Sequence, residues 1–229
     1  MQIAALVIIV VIVALAGYFG FDAVHSGGRD FWLIVGVPTV VLAAIAVWRA
    51  RRDDELREWV RPQWGDFTRG FLAAIVLVVG AHAFARLVMP PGSWRRIWLV
   101  SLYAQIGGPQ TLQDHALLVG VAILVLAAAE ELLWRGLVTT LLAERFGSRT
   151  AWIGAAVLYA IAHLPTMWSL RSLGGALNPV LPIAALAVGL VFGAMARKLG
   201  RLTPGILAHA LFDWCVVMMF PLLTLPRAV

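Results

Sequence analysis

Charged residues are scarce in this chain of 229 residues. Asp, Glu, Lys and Arg together make up 13% of it, about half the share of an ordinary globular protein, whereas 62% of the chain is hydrophobic. So few charges cannot cover a water-soluble surface, and so apolar a composition excludes a disordered or collagen-like chain. The sequence therefore predicts an integral membrane protein that crosses the bilayer several times, without a soluble domain.

Cysteine and lysine are also nearly absent. The single cysteine, Cys215, has no partner for an internal disulfide, which excludes a disulfide-stabilised scaffold. Lys198 is the one lysine among 18 basic residues, and the formal net charge is +6. In a membrane protein, an excess of arginine is typical of loops on the cytoplasmic side, so we expect no nucleic-acid partner.

Seven apolar stretches approach the roughly 20 residues that a helix needs to cross a ~30 Å hydrocarbon core. They cover about residues 3–21, 31–48, 67–89, 112–143, 151–168, 180–196 and 204–220. The first stretch lacks the charged start of a secretory signal, so it is interpreted as the first span. Residues 93–106 favour an interfacial helix, with an eighth span as the alternative. We expect an all-α bundle of seven to eight transmembrane helices.

The distribution of basic residues indicates how the bundle is oriented. We assume that the loop between the second and third stretches is cytoplasmic and that the spans alternate. The inner side then holds Arg49, Arg51, Arg52, Arg57, Arg61, Arg69, Arg145, Arg149, Arg197, Lys198 and Arg201, and the outer side holds Arg29, Arg86, Arg95, Arg96, Arg171 and Arg227. This excess on one side places the N-terminus in the cytoplasm.

Six ionisable side chains on three of the predicted spans lie at membrane depth, where each charge costs about 2.5–3.5 kcal/mol on insertion scales. They are Glu130, Glu131 and Arg135 in the fourth stretch, His163 in the fifth, and His209 and Asp213 in the seventh. With a rise of ~1.5 Å per residue, these stretches carry their acids and histidines roughly 9–22 Å from the predicted cytoplasmic helix ends. We expect one buried polar cluster, open toward the cytoplasmic half.

Helical periodicity indicates which of these side chains share a face. Glu131 and Arg135 lie about 40° apart and one turn from each other, so we expect an ion pair that keeps Arg135 out of lipid. Glu130 points about 100° away from Glu131 and is free to face something else. His209 and Asp213 have the same one-turn spacing and must share a face.

A carboxylate and a histidine beside a low-dielectric cavity can activate a water, and a second histidine can donate a hydrogen bond to the resulting oxyanion. This combination favours peptide hydrolysis within a membrane. The sequence contains no Gly-x-Ser-x-Gly elbow, and Cys215 points away from Asp213. Two histidines with Glu and Asp are also competent Zn²⁺ ligands. The missing His-Glu-x-x-His arrangement weakens this metal alternative without removing it.

Three motifs resemble the CPBP family, which comprises CAAX proteases and bacteriocin-processing enzymes and is also called the Abi family. They are Glu130-Glu131-x-x-x-Arg135, Tyr159-x-x-x-His163 and His209-x-x-x-Asp213, each on its own helix and in the family's order. The resemblance implies an intramembrane endopeptidase of the glutamate type, although members are often labelled metalloproteases. We therefore divide the chain into N-terminal helices and loops (1–111), a CPBP-like catalytic core (112–220) and a C-terminal tail (221–229).

The resemblance also implies roles for individual residues. By position, Glu130 activates the water with help from His163, and His209 forms the oxyanion site together with Asp213. The residues expected to support them are Glu131, Arg135 and Tyr159. If zinc were bound instead, its ligands would be Glu130, His163, His209 and Asp213.

Two positions depart from the family pattern. Tyr159 stands where Phe is usual and adds a hydroxyl near His163. Asp213 stands where Asn is often found, and an ionised Asp cannot donate to an oxyanion. Asp213 is therefore either protonated by burial or acts indirectly by orienting His209, and the one-turn spacing favours the second role.

Two functions other than proteolysis fit the same scaffold. A non-catalytic immunity or secretion partner would not need Glu130, His163 and His209 together. A proton-coupled transporter is weakened because no pair of broken helices occupies corresponding halves of the sequence. We expect a peptide substrate in or near the bilayer, contact with lipid, no cofactor (with a divalent metal such as zinc as the alternative), and location in a bacterial or archaeal inner membrane. The substrate classes left open are prenylated C-termini, bacteriocin leaders and sorting tails.

Overall fold

A computed structural model describes residues 2–172 and 174–223. Over these ranges the chain is helical and contains no β-strand, which confirms the predicted all-α class. The helices are α1 (Gln2–Gly20), α2 (Arg29–Arg52), α3 (Leu56–Val60), α4 (Asp66–Val88), α5 (Arg96–Ile106), α6 (Pro109–Asp114), α7 (Ala116–Glu130), α8 (Thr139–Phe146), α9 (Ala151–Ala162), α10 (Thr166–Ser169), α11 (Val180–Leu199) and α12 (Thr203–Trp214). Two π-helical segments, Glu131–Val138 and Cys215–Met219, follow α7 and α12, and a short 3₁₀ helix covers Ala23–His25.

Within the part of the chain that the structure describes, six helical segments are long and apolar enough to cross a membrane. They are α1, α2, α4, the continuous run Ala116–Phe146, the run Ala151–Ser169 and α11, and Thr203–Met219 is a shorter apolar helix. Each of these segments overlaps one of the seven predicted stretches. The chain is therefore an integral, multi-pass membrane protein.

The short helix α5 lies at one end of the bundle and does not cross it. Its Gln105 side chain donates to the carbonyl of Gly20 at 2.9 Å, and Ser26 donates to the carbonyl of Ala104 at 2.8 Å, so α5 contacts the turn between α1 and α2. Tyr103 donates to the carbonyl of Val216 at 2.5 Å, beyond the end of α12. Eleven residues also span only ~16 Å. Among residues 2–172 and 174–223, this segment forms a short helix and not an eighth span, and its location at the membrane interface stays a prediction.

The opposite end of the bundle, which we call the basic end, carries the loops between α2 and α4, between α8 and α9, and between α11 and α12. Contacts there join helix ends that the predicted alternation places on the same side. Gln2 and Arg49 both donate to Glu144 at 2.5 Å, and Arg197 donates to the carbonyl of Arg149 at 2.7 Å. The structure therefore agrees with the alternation inferred from charge, although Arg227 lies outside the described residues.

Small residues allow the helices that carry the ionisable side chains to approach closely. A Cβ atom built on Gly70 of α4 would lie 2.9 Å from the carbonyl oxygen of Pro204, at the start of α12. A Cβ on Gly189 of α11 would lie 3.1 Å from the Cβ of Ala156 in α9. Close backbone approach of this kind is typical of helix packing in membranes.

Candidate active site

The fourth membrane span changes its helical form at the two glutamates. Helix α7 ends at Glu130, and the π-helical segment begins at Glu131 and continues to Val138, after which α8 completes the span. This segment is almost entirely buried. Single π-turns inside α-helices are rare overall, and those that occur are often found at functional sites. Sequence reasoning missed this feature because a 3.6-residue periodicity assumes a regular α-helix throughout.

The predicted ion pair between Glu131 and Arg135 is present. Arg135 Nη1 lies 2.9 Å from Glu131 Oε1, and the exposed fractions of the two residues are 6% and 0%. The guanidinium also lies 5.0 Å from the ring centre of Tyr159 and 5.3 Å from that of Phe192. Two aromatic faces and one carboxylate therefore surround the arginine, which keeps its charge away from lipid.

His209 lies at the centre of the cluster, between three carboxyl groups. Its Nδ1 is 2.9 Å from Glu131 Oε1, whereas its Nε2 is 3.9 Å from Glu130 Oε2 and 3.5 Å from Asp213 Oδ2. Because the arginine-paired Glu131 carboxylate can only accept hydrogen bonds, Nδ1 is the donor in this contact. Nε2 therefore points toward Glu130 and Asp213. Periodicity separates Glu130 from Glu131 on one helix, yet both carboxylates approach the same imidazole.

Tyr159 connects Glu130 to His163. Its hydroxyl donates a hydrogen bond to Glu130 Oε2, and its ring packs edge-on against the His163 ring at a centroid distance of 4.6 Å. Helix α9 ends at Ala162, so His163 occupies the position that follows it. His163 Nδ1 is 2.8 Å from the carbonyl oxygen of Tyr159 and must donate to it, because a carbonyl only accepts. Nε2 is then the ring nitrogen that is left to contact another group.

Exposure separates the two glutamates. The Glu130 side chain is 21% exposed and that of Asp213 is 34% exposed, whereas the Glu131 side chain is 1% exposed. His163 is half-buried. Glu130, Asp213 and His163 are therefore partly accessible, while Glu131 contacts only protein groups.

Two further residues at the cluster carried no sequence signal. The Phe192 ring lies 4.9 Å from the His209 ring and packs over it. A Cβ on Gly205 would lie 3.1 Å from Glu131 Oε2, so a glycine there lets the start of α12 approach the buried carboxylate. Neither residue is ionisable, and a search for polar groups within apolar spans does not find them.

The metal alternative depends on three or more ligands converging. Among residues 2–172 and 174–223, no group of three or more His, Cys, Asp and Glu side chains is arranged to hold a metal ion. One of the proposed ligands, His209, already uses Nδ1 in its contact with Glu131. The described side chains are therefore not arranged as a zinc site. Chelation of the purified enzyme tests whether its activity depends on a metal.

The fold and the cluster together define a multi-pass membrane protein with an ionisable, partly accessible site between its helices. Residues 112–215 match the family model described as type II CAAX prenyl endopeptidase Rce1-like. This match confirms the resemblance to the CPBP family and supports an intramembrane endopeptidase, that is, a hydrolase. Comparisons with curated proteins and with solved structures found no match.

Proposed function

We propose that this protein is an intramembrane endopeptidase of the glutamate type that cleaves peptide segments in or near the bilayer. The observation that carries the proposal is the position of Glu130. Its carboxylate is partly exposed, accepts a hydrogen bond from Tyr159, and has Oε2 3.9 Å from Nε2 of the buried His209. Polar atoms at this separation can be bridged by a single water.

Glu130 acts as the general base in this mechanism. It takes a proton from the water while the water oxygen attacks the carbonyl carbon of the scissile peptide bond, and a tetrahedral oxyanion forms. Glu130 then returns the proton to the nitrogen of the departing amine as the carbon–nitrogen bond breaks. His163, with Nε2 free, accepts a second hydrogen bond from the same water and orients it.

His209 stabilises the oxyanion. Its Nδ1 is held by Glu131, and its Nε2 is 3.5 Å from Asp213 Oδ2, a distance that leaves an N–H at Nε2 free to donate to substrate. Donation through both nitrogens requires the imidazolium form, and the neighbouring carboxylates balance that charge. Asp213 acts on the orientation of His209 instead of donating to the oxyanion itself.

The proposed substrates are membrane-proximal segments subject to C-terminal or leader processing. The cluster lies nearer the basic end of α12, because His209 is only six residues after Thr203, or ~9 Å along the helix. With the basic end in the cytoplasm, the site faces peptide bonds in the cytoplasmic half of the membrane. We place the protein in the inner membrane of a bacterial or archaeal cell.

The test is cleavage of a co-expressed, membrane-anchored candidate substrate by wild type, Glu130→Gln, His163→Ala and His209→Asn. His82→Ala is the matched control, because His82 in α4 is also half-buried and its Nδ1 makes the same contact with the carbonyl four residues earlier, at 2.9 Å. We expect the three site variants to lose activity and the control to keep it. Purified enzyme is also assayed with a chelator and with added Zn²⁺.

Three outcomes would contradict parts of the proposal. Equal cleavage by all variants would make the cluster structural. Loss of cleavage on chelation, restored by Zn²⁺, would make the same side chains metal ligands. If the His82→Ala control loses as much cleavage activity as the site variants, the losses reflect folding and not catalysis. Membrane insertion of each variant is measured in parallel to test this.

A further inference from the structure

The segment between α2 and α4 reaches the site from outside the domain that matches the family. We call residues 56–66 the brace; they comprise α3, the turn after it and the first residue of α4. The family match begins only at residue 112. In the sequence, the brace has the composition of a solvated cytoplasmic loop, yet its two ends contact buried parts of the site.

One end of the brace holds the start of α12. Arg201 Nε lies 3.1 and 3.0 Å from the two carboxylate oxygens of Asp66, and Nη2 lies 2.5 Å from Oδ1. Both residues are buried, with exposed fractions of 8% and 2%. Asp66 also accepts a hydrogen bond from the backbone of Gln63 at 2.8 Å, which fixes the turn that carries the carboxylate. This bidentate geometry is the strong and directional form of an ion pair.

The other end of the brace contacts the π-helical segment. The Trp59 ring lies so close to Gly136 that a Cβ atom there would be 2.5 Å from the ring. Gly136 follows Arg135 directly in the segment that begins with Glu131. The backbone carbonyl of Trp59 also accepts a hydrogen bond from the Leu202 amide at 2.8 Å, at the start of α12.

The brace therefore contacts both chain segments that bring Glu131 and His209 together. Trp59 packs on the segment that carries Glu131, and Asp66 holds the helix that carries His209. Arg201 lies two residues before α12, and His209 lies six residues, or ~9 Å, along the helix from Thr203. A small displacement of the start of α12 is transmitted to His209, because a helix is stiff over two turns.

We propose that Asp66 is a positioning residue for the hydrolytic site, which acts through Arg201 to hold His209 against Glu131. The proposal rests on the proposed function for its effect on cleavage. Its geometric content, the position of the His209 ring, can be measured without any substrate.

The experiment compares Asp66→Asn with wild type in the full-length protein. Asn keeps the size of the side chain and the oxygen that caps Gln63 but removes the charge that pairs with Arg201 and, at 3.6 Å, with the more exposed Arg69. The matched control is Arg49→Ala, which removes an ion pair at the same end of the bundle, between α2 and Glu144 of α8, at 2.5 Å. The charge exchange Asp66→Arg with Arg201→Asp tests whether the pair itself is what matters.

Two readouts are used. In cleavage, we expect kcat of Asp66→Asn to fall about tenfold with little change in KM, because misplacement of a catalytic group by a fraction of an ångström slows the chemical step. In ¹⁵N-histidine NMR of the purified protein, with His209→Asn for assignment, we expect the His209 Nδ1–H signal to shift in Asp66→Asn. The Arg49→Ala control should match wild type in kcat and in the His209 signal. The charge exchange should recover part of the kcat that Asp66→Asn loses.

An unchanged kcat and an unchanged His209 signal in Asp66→Asn would overturn the proposal, even if the protein melts at a lower temperature. If Asp66→Asn does not fold, Trp59→Ala removes the other contact of the brace and is expected to shift the same signal. If wild type and Glu130→Gln cleave nothing, the proposed function fails, and the NMR comparison alone decides whether the brace positions His209.

Discussion

Gly70→Ala tests whether close packing of α4 against α12 sets the position of His209. The added Cβ would lie 2.9 Å from the carbonyl oxygen of Pro204, 3.0 Å from the Cβ of Leu207 and 3.4 Å from the amide nitrogen of Ala208. Two of these atoms belong to the backbone, and the Cβ of Leu207 is nearly as fixed. Rotation of a side chain cannot relieve the contact, so the two helices must separate.

The size of the effect follows from these distances. Restoring the contact with the carbonyl of Pro204 from 2.9 Å to an ordinary 3.4 Å requires α12 to move by about 0.5 Å. Overpacking of this kind costs about 1–3 kcal/mol, which the better helix propensity of Ala offsets by about 0.5–1 kcal/mol. His209 follows Ala208 directly and moves with the helix. Since a 1 Å misplacement can cost about 100-fold, we expect a loss of about tenfold in kcat.

The assay compares Gly70→Ala with Gly80→Ala, a control ten residues further along α4. A Cβ on Gly80 has no atom within 4 Å among the described residues, so this change should raise the melting temperature slightly or leave it unchanged. Thermal unfolding in detergent and cleavage of the same substrate are measured for both variants. Wild-type stability and activity in Gly70→Ala, or equal losses in both variants, would refute the reasoning from packing.

Three further predictions concern the site itself. Arg135→Ala should lower the free energy of unfolding by about 3–5 kcal/mol, measured by thermal denaturation, because it removes one partner of a buried ion pair and leaves the Glu131 carboxylate with only its contact to His209; a loss below 1 kcal/mol would contradict this. Tyr159→Phe should lower kcat about tenfold without a change in stability above about 1 kcal/mol, because only the hydrogen bond to Glu130 is lost; wild-type kinetics would refute a role for the hydroxyl. Gly205→Ala should cost about 1–2 kcal/mol of stability, since its Cβ would lie 3.1 Å from a Glu131 oxygen that cannot rotate away; a neutral result in denaturation would show that this carboxylate is free to move.

The prediction of zinc ligands and the prediction of a glutamate mechanism rest on the same residues, and geometry separates them only in part. Glu130, His209 and Asp213 converge, whereas His163 joins the cluster through Tyr159. Both chemistries use an accessible Glu130. Chelation of purified enzyme distinguishes them, because a protein carboxylate that activates water needs no metal.

Much of the architecture was readable from local patterns. The seven apolar stretches, the short helix at residues 96–106 and the pairing of Glu131 with Arg135 all depend on residues close together in the chain. Hydropathy over 20 residues and one-turn spacing on a helix are properties of the chain itself, so they need no knowledge of neighbouring helices. The ionisable residues of the candidate site could also be identified from the sequence. A charged residue within an apolar stretch stands out whatever that stretch packs against.

The tertiary structure decided which of these side chains meet. Sequence spacing did not predict three features of the site. They are the π-helical segment, the approach of both Glu130 and Glu131 to one imidazole, and the contacts of the brace with Gly136 and Arg201. Spacing gives the angle between two side chains on one ideal helix. Contacts between helices depend instead on crossing angle, depth and register, which are set where small residues such as Gly70 and Gly205 allow two backbones to approach.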